Sequence, residues 1–413
     1  MRTISLEPLT RVEGHGRVEL VLADQRLADV RLALLEAPRL FEGLVVGRPY
    51  EEVPALVCRI CSICTGVHRV TSAAALEQAL GLEIPPTARL VRELLLLGGH
   101  IESHALHLFC LVLPDLRGKQ SVLELLHAGD GTARRGVAFK AFGNRIQELA
   151  GGRMIHPVNV EVGGVMRLPD PKGLETLLTD LQNWQGHIAE LAEPFLDQHS
   201  YPPAAPAVGT RIAVHGTAPL SLQGHSLALS DGRRVPAKHY APLLAERTVA
   251  HSHAKQARSG SATFLAGALA RIELTAPETT GLDRIAGIFA NNLAQMLELG
   301  WALERCRALA EELLDLASDV PVRVRATPRA GVGTVAVEAP RGLLVHHYLL
   351  DDLGRVVTAD IVTPTAINQA TIEEQLRRDL ADLTEEETLK MRAAQIVRAF
   401  DPCISCAVHV TRR

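Results

Sequence analysis

The 413-residue chain is poor in aromatic side chains, which make up only 3% of it, although 47% of its residues are hydrophobic. Its core must therefore be filled by Leu, Ala, Val and Ile, a composition that favours long, closely packed helices. Basic clusters are missing and the formal net charge is −4, which excludes nucleic acid as the main partner. No uncharged run reaches spanning length, and the opening residues MRTISLEPLTRVEG carry no apolar signal segment. The expectation is a cytoplasmic protein with no direct membrane span, unless a partner exports it. Internal repeats, low-complexity tracts and linker-like breaks are absent. The chain reads as one domain over residues 1–413, with a small β insertion at 202–240.

Element by element, the pattern predicts a mainly α protein with small β elements (an α+β fold) built on a bundle of long helices. Residues 1–36 alternate as a hairpin of strands, interrupted by the glycine-flanked stretch Thr10-Arg11-Val12-Glu13-Gly14-His15-Gly16, which reads as a tight loop. A short helix and a second helix start fall within 37–57. Long helices are expected over 86–113, 124–150, 172–198 and 282–317, strands at 320–327 and 331–338, and two final helices at 371–382 and 385–399. His100, His104 and His107 share one face of the 86–113 helix. Without a matching carboxylate they read as core histidines with satisfied hydrogen bonds, not as a metal site.

The seven cysteines are distributed unevenly. Five lie in two clusters near opposite ends of the chain, Cys58-Arg59-Ile60-Cys61-Ser62-Ile63-Cys64 and Asp401-Pro402-Cys403-Ile404-Ser405-Cys406. Cys110 and Cys306 have no partner at ligand spacing and read as buried structural thiols. A chain this large does not need a disulfide framework. Two Cys-x-x-Cys pairs supply four thiolates, a set that suits zinc, iron–sulfur chemistry or nickel. Zinc ribbons keep their pairs close because they staple modules that lack cores. Pairs this far apart favour a buried, redox-active transition metal, and neither pair sits in a thioredoxin-like context.

The wider context of these pairs resembles the large subunits of nickel–iron hydrogenases. The resemblance is carried by Arg59-x-Cys61-x-x-Cys64-x-x-x-His68 and Asp401-Pro402-Cys403-x-x-Cys406-x-x-His409. It extends through Thr10-Arg11-Val12-Glu13-Gly14-His15, Gly47-Arg48-Pro49-Tyr50-Glu51-Glu52, Ile155-His156-Pro157 with Gly163-Gly164, Ala339-Pro340-Arg341-Gly342 and Pro364-Thr365-x-x-Asn368, in family order. By that resemblance Cys61, Cys64, Cys403 and Cys406 bind nickel, and Cys64 and Cys406 also bridge to an iron carrying carbon monoxide and cyanide. The family implies Cys403 as the first proton acceptor and Glu13 as the next. It implies Arg341 suspended over the metals, with Asp115 and Asp401 holding it, and His68 donating to a bridging sulfur. Glu42 and His409, with a carbonyl near Ile361 or Val362, match the family's magnesium site.

The same resemblance implies reversible heterolytic cleavage of dihydrogen, with electrons leaving through an iron–sulfur small subunit. Chain length and the Gly-Arg-Pro-Tyr-Glu-Glu motif look like the soluble branch whose further subunits, diaphorases, bind NAD(P). A maturation protease and a nickel-insertion chaperone are implied for a C-terminal tail, here Val410-Thr411-Arg412-Arg413. Two relatives of the same fold, a dihydrogen sensor and a non-catalytic respiratory scaffold, are the alternatives; the scaffold loses the four cysteines that this chain keeps. The sequence departs from the family at Ser62, where glycine is usual, and at Cys58, an additional sulfur expected to be a bystander.

Overall fold

A computed structural model describes residues 1–37, 40–216, 220–276, 281–317 and 319–408. Its centre is a set of long helices. The Pro86–Ala105 helix runs into a π-helical stretch, Leu106–Val112, and ends in a last turn at Leu113–Leu116. By length and composition the whole of Pro86–Leu116 would pass for a membrane span, but 78% of its most apolar window is buried inside the protein, as in a core helix. It crosses the Gly131–Gly151 helix at contact distance. A Cβ on Gly143 would lie 2.4 Å from the Glu102 amide nitrogen, and one on Gly98 would lie 2.9 Å from Ile146. Absent side chains thus let the two backbones touch.

The scarce aromatics are grouped where helices meet. Phe139 stacks on Trp184 of the Pro171–Leu196 helix with centroids 4.6 Å apart, and Phe109 meets Phe195 edge-on at 5.5 Å. The same Pro171–Leu196 helix packs against Ala290–Leu314.

Strands surround this core. Arg2–Leu6, Gly16–Ala23 and Arg26–Leu34 form an antiparallel sheet, with Val18, Leu20 and Leu22 turned inward at every second residue. A four-stranded antiparallel sheet joins Val356–Val362, Gly342–Leu350, Gly331–Ala339 and Gln223–Gly224. Its central hairpin closes with Ala339 opposite Gly342, so Pro340 and Arg341 are the two loop residues. Within 202–240 the strands Thr210–Val214, Ser226–Leu229 and Arg234–Pro236 pair antiparallel, and Phe264–Leu265 joins Thr210–Val214 in parallel.

Several elements differ from the sequence reading. The 124–150 segment is two helices, Val122–His127 and Gly131–Gly151, because Gly129 turns left-handed (φ 78°) and Asp130 caps the second by accepting from the Ala133 amide. The 282–317 segment begins as 3-10 turns, and its α-helix starts only at Ala290. Residues 320–327 form no strand, only a single bridge from Arg323 to Gly164. The Thr65–Leu80 helix and the strands Gly342–Leu350 and Val356–Val362 stand where the sequence pattern predicts no element. That helix is buried almost all round, so it lacks the amphipathic stripe by which a helix is recognised.

The close helix crossing generates a stability prediction. Gly143→Ala forces a methyl into the Glu102 backbone and should destabilise the fold by about 1–3 kcal/mol, the usual range for overpacking. Calorimetry should show a midpoint several degrees lower. An unchanged midpoint would mean that the two helices separate freely.

Candidate metal centre

Each cysteine pair is presented by a different local device. Cys64 is the residue before the Thr65–Leu80 helix, whose first turn closes as the His68 amide donates to the Cys64 carbonyl (3.1 Å). The Cys64 amide faces the Cys61 sulfur at 3.5 Å. At the other end Asp401 takes a left-handed conformation (φ 51°), and the chain passes through Pro402 into the one-turn helix Ile404–Ala407. Such strain in a non-glycine residue persists only where the surroundings over-determine it. Thr365 accepts the Cys403 amide (2.8 Å), and the Glu13 carbonyl accepts the Ile404 amide (3.1 Å), forming a one-residue bridge between Glu13 and Cys403. A Cβ on Gly14 (φ 88°) would lie 2.7 Å from the Ile404 Cβ, so only glycine lets the N-terminal loop pass there.

These devices bring four buried sulfurs together. Cys61 and Cys403 Sγ are 3.4 Å apart, Cys64 and Cys403 3.9 Å, Cys403 and Cys406 2.9 Å, and all four lie within 4.8 Å of one another. Four sulfurs bound tetrahedrally at the usual ~2.3 Å would stand about 3.8 Å apart, inside this range. Burial pushes the Cys403 and Cys406 thiols well up, whereas hydrogen bonds, first from Cys403, draw Cys61 well down. The set can be fully ionised only against a cation.

Arg341 completes the site from the hairpin loop. Its Nε donates to Asp401 Oδ1 (2.9 Å), one terminal nitrogen lies 3.9 Å from Cys64 Sγ, and the other is buried without a partner. Burial alone would lower its pKa, but Asp401, Cys403, Cys64 and Glu13 together raise it well above the ordinary value. Asp401 is held below the usual carboxylate range despite its burial, by Arg341 first and then His107. A second carboxylate oxygen of Asp401 accepts from Gln295 (3.0 Å). An orphaned, buried cationic N–H beside four sulfurs is a donor waiting for an acceptor, which fits a metal-bound group there.

Glu13 is half-buried, and its carboxylate accepts the Ser405 amide (3.1 Å) next to Cys406. His68 is buried with Nδ1 3.1 Å from His346 Nε2. Asp115 does not hold Arg341. It is taken by Arg11 (2.5 Å) and by both arms of Arg398 (2.7 and 2.9 Å), because these two arginines reach it from the N-terminal loop and the last long helix. Glu42 accepts the Ile361 amide (3.0 Å) and groups with Glu246 and Asp360, with Lys255 Nζ 2.6 Å from Glu246. Burial, aided by Asp360 and Glu42 and opposed by Lys255, raises Glu246 to about 7. His409 and residues 410–413 lie outside the described residues, as does Arg39.

Cys58 is buried beside the site, and its thiol donates to the Ala55 carbonyl. The three helix histidines have protein partners, but only His107 uses both ring nitrogens, on Gln295 and the Arg398 carbonyl. His100 meets the Leu96 carbonyl and His104 meets Glu298, each with its other ring nitrogen buried and unpaired, so the expectation of full satisfaction holds for His107 alone. Gln295, Glu246 and Asp360 were not singled out from the sequence; no local spacing marks residues that meet only through tertiary packing. Asn368 was visible as part of a motif, and it proves to pin Ala266 through both its oxygen and its nitrogen (2.8 and 2.9 Å).

A tetrathiolate pocket joined from both ends of the chain, with a buried guanidinium beside it, defines a metalloprotein. The profile of the nickel-dependent hydrogenase family matches residues 39–125 and 256–409, and a HoxL-like profile matches residues 3–36. The chain is 38% identical to the alpha subunit of sulfhydrogenase 2 of Pyrococcus furiosus over 99% of both chains, and 35% identical to that of sulfhydrogenase 1, covering 99% and 98%. An NAD+-reducing NiFe-hydrogenase crystallised in the H2-reduced state superposes with a TM-score of 0.86 at 27% identity, covering 99% of this chain and 100% of the other. The chain belongs to the nickel-dependent hydrogenase family, as a catalytic large subunit.

Removal of one sulfur tests the ligand set directly. Cys403→Ser should lower bound nickel to well below one per chain, measured by plasma mass spectrometry on the purified complex. Retention of full nickel would remove Cys403 from the set.

Proposed function

We propose that the chain carries out reversible heterolytic cleavage of dihydrogen at a nickel–iron pair held by Cys61, Cys64, Cys403 and Cys406. The observation that carries this reading is the four-sulfur cluster with the unpartnered Arg341 nitrogen above it. Bound there, nickel and an iron carrying carbon monoxide and cyanide supply the Lewis-acid and redox chemistry that polarises dihydrogen. Cys64 and Cys406 would help hold the pair with Cys61 and Cys403, and His68, buried against His346 (3.1 Å), would serve as a hydrogen-bond donor to the sulfur set.

The chain's own residues then handle the proton. Cys403 would be the thiolate that takes the proton first, and Glu13 is its neighbour across the short backbone bridge between the two segments. The Ser405 amide fixes one Glu13 oxygen. Partial exposure gives this carboxyl a route outward, so Glu13 accepts the proton from Cys403 and passes it on. Arg341, held by Asp401, keeps a fixed positive charge over the site at no reorganisation cost during the reaction.

Electrons leave through a partner. Cys61, Cys64, Cys403 and Cys406 form the only cysteine metal group among the described residues. Met154, Ile155 and Val158 are exposed around His156, whose ring Nδ1 lies 3.2 Å from the Cys58 carbonyl at the base of the first cluster, and exposed Met166 donates its amide to the Asn159 carbonyl one residue further along. This apolar face suits an iron–sulfur small subunit. The likeness to an NAD+-reducing hydrogenase favours further subunits of the NAD(P)-binding diaphorase type, and a thiolate ligand set suits a reducing, cytoplasmic setting. Glu42, Glu246 and Asp360, three carboxylates against one lysine, are a candidate magnesium site near Ile361, for which the family resemblance implies His409 as a further ligand; a protease and a nickel-insertion chaperone would complete maturation.

The infrared spectrum of the anaerobically purified complex tests the centre. Sharp bands from iron-bound carbon monoxide and cyanide should shift under dihydrogen, and zinc with no such bands would overturn the reading. Glu13→Gln should slow dihydrogen–deuterium exchange at least tenfold with nickel content intact, since general acid–base groups typically contribute ~10²–10⁴. An unchanged exchange rate would take Glu13 out of the proton path.

A further inference from the structure

Arg271 lies away from the sulfurs, yet every one of its N–H groups is spent on the floor beneath Arg341. It stands one turn into the Ala268–Thr275 helix and is 2% exposed. Its Nε and one terminal nitrogen grip both oxygens of Glu298 (2.6 Å each). The other terminal nitrogen donates to Glu338 (2.8 Å) and to the Ala339 carbonyl (3.0 Å), and the first reaches the Pro340 carbonyl as well (3.1 Å). The two carbonyls belong to the residues directly before Arg341, the last of the hairpin strand and the first of its loop. A fork of this shape fixes direction as well as distance.

The other side of the turn is equally constrained. Gly342 (φ 131°) passes so close that a Cβ would lie 2.9 Å from the Gly267 amide, and Gly267 opens the helix that carries Arg271. Glu298, the main anchor of Arg271, shares its helix with Gln295, which donates to Asp401, and with Asn291, which donates to the Ala399 carbonyl. One helix face therefore registers the Arg341 loop and the Asp401 loop against each other. Glu338 uses its second oxygen to accept the Val214 amide (2.6 Å), tying the arrangement to the neighbouring sheet.

We propose that Arg271 is a positioning residue for Arg341: by clamping the Ala339 and Pro340 carbonyls to Glu298 and Glu338, it holds the Arg341 guanidinium at its place over the four thiolates. This rests on the reading of Arg341 as a participant in the reaction. A residue that acts only through Arg341 loses its influence once Arg341 is changed.

The test is a double-mutant cycle on the purified complex with Arg271→Lys, Arg341→Lys and the pair, read by turnover, nickel content and deuterium uptake of the peptide spanning 336–344. Arg271→Lys should keep its nickel, raise uptake in that peptide and slow turnover at least tenfold. The pair should be no slower than Arg341→Lys alone. Effects that multiply, or unchanged uptake in Arg271→Lys, would overturn the positioning role. An Arg341→Lys enzyme at full rate would instead overturn the reading of Arg341 itself, and the proposal with it. If Arg271→Lys does not fold, Glu338→Gln keeps the shape and loosens the clamp; it should raise uptake less and add nothing on the Arg341→Lys background, and a multiplied effect there would equally overturn the role.

Discussion

Four sulfurs crowded into a buried space repel one another once ionised, and the rest of the structure is arranged around that repulsion. At an effective dielectric constant of 20, two thiolates at the 3.4 Å separation of Cys61 and Cys403 oppose each other by about 5 kcal/mol. Only a strongly bound cation offsets several such terms at once. Arg341 supplies one positive charge nearby, too little for the set, and that charge is already shared with the Asp401 carboxylate (2.9 Å). The fold thus gathers a sulfur set whose charge calls for a metal cation.

That set comes from segments distant in sequence. The N-terminal loop lies against the final helix turn through Glu13 and Gly14, so the two ends of the chain close on each other. The Thr65–Leu80 helix anchors one cysteine pair, and the start of the Pro364–Leu380 helix holds the Cys403 amide through Thr365. The central hairpin delivers Arg341 between them. Long helices that touch backbone to backbone leave little room for these parts to drift, which is how a chain with few aromatics keeps a defined interior.

What could be read from the sequence follows the range of the interactions. The cysteine pairs were legible because metal ligation demands a short, fixed spacing. Arg341 was legible as part of a motif, flanked by a proline and a glycine that the tight hairpin requires. Asp115 was matched to the wrong arginine, because its true partners, Arg11 and Arg398, lie 104 and 283 residues away and only the folded chain brings them near. The same holds for Gln295, and for Glu246 and Asp360 beside Glu42. Among the larger elements, the amphipathic Pro86–Ala105 and Pro171–Leu196 helices gave clear periodic signals. The Thr65–Leu80 helix and the Gly342–Leu350 strand are buried on most sides, so neither displays the alternation that reveals an element.

Nickel K-edge absorption of the anaerobically purified complex tests the central claim most directly, because it reads the atoms around the metal. The account predicts a first shell of sulfur at about 2.2–2.4 Å from nickel, close to the usual metal–thiolate distance, with iron as a near neighbour. A first shell of nitrogen and oxygen, or an edge that shows nickel without iron beside it, would contradict it.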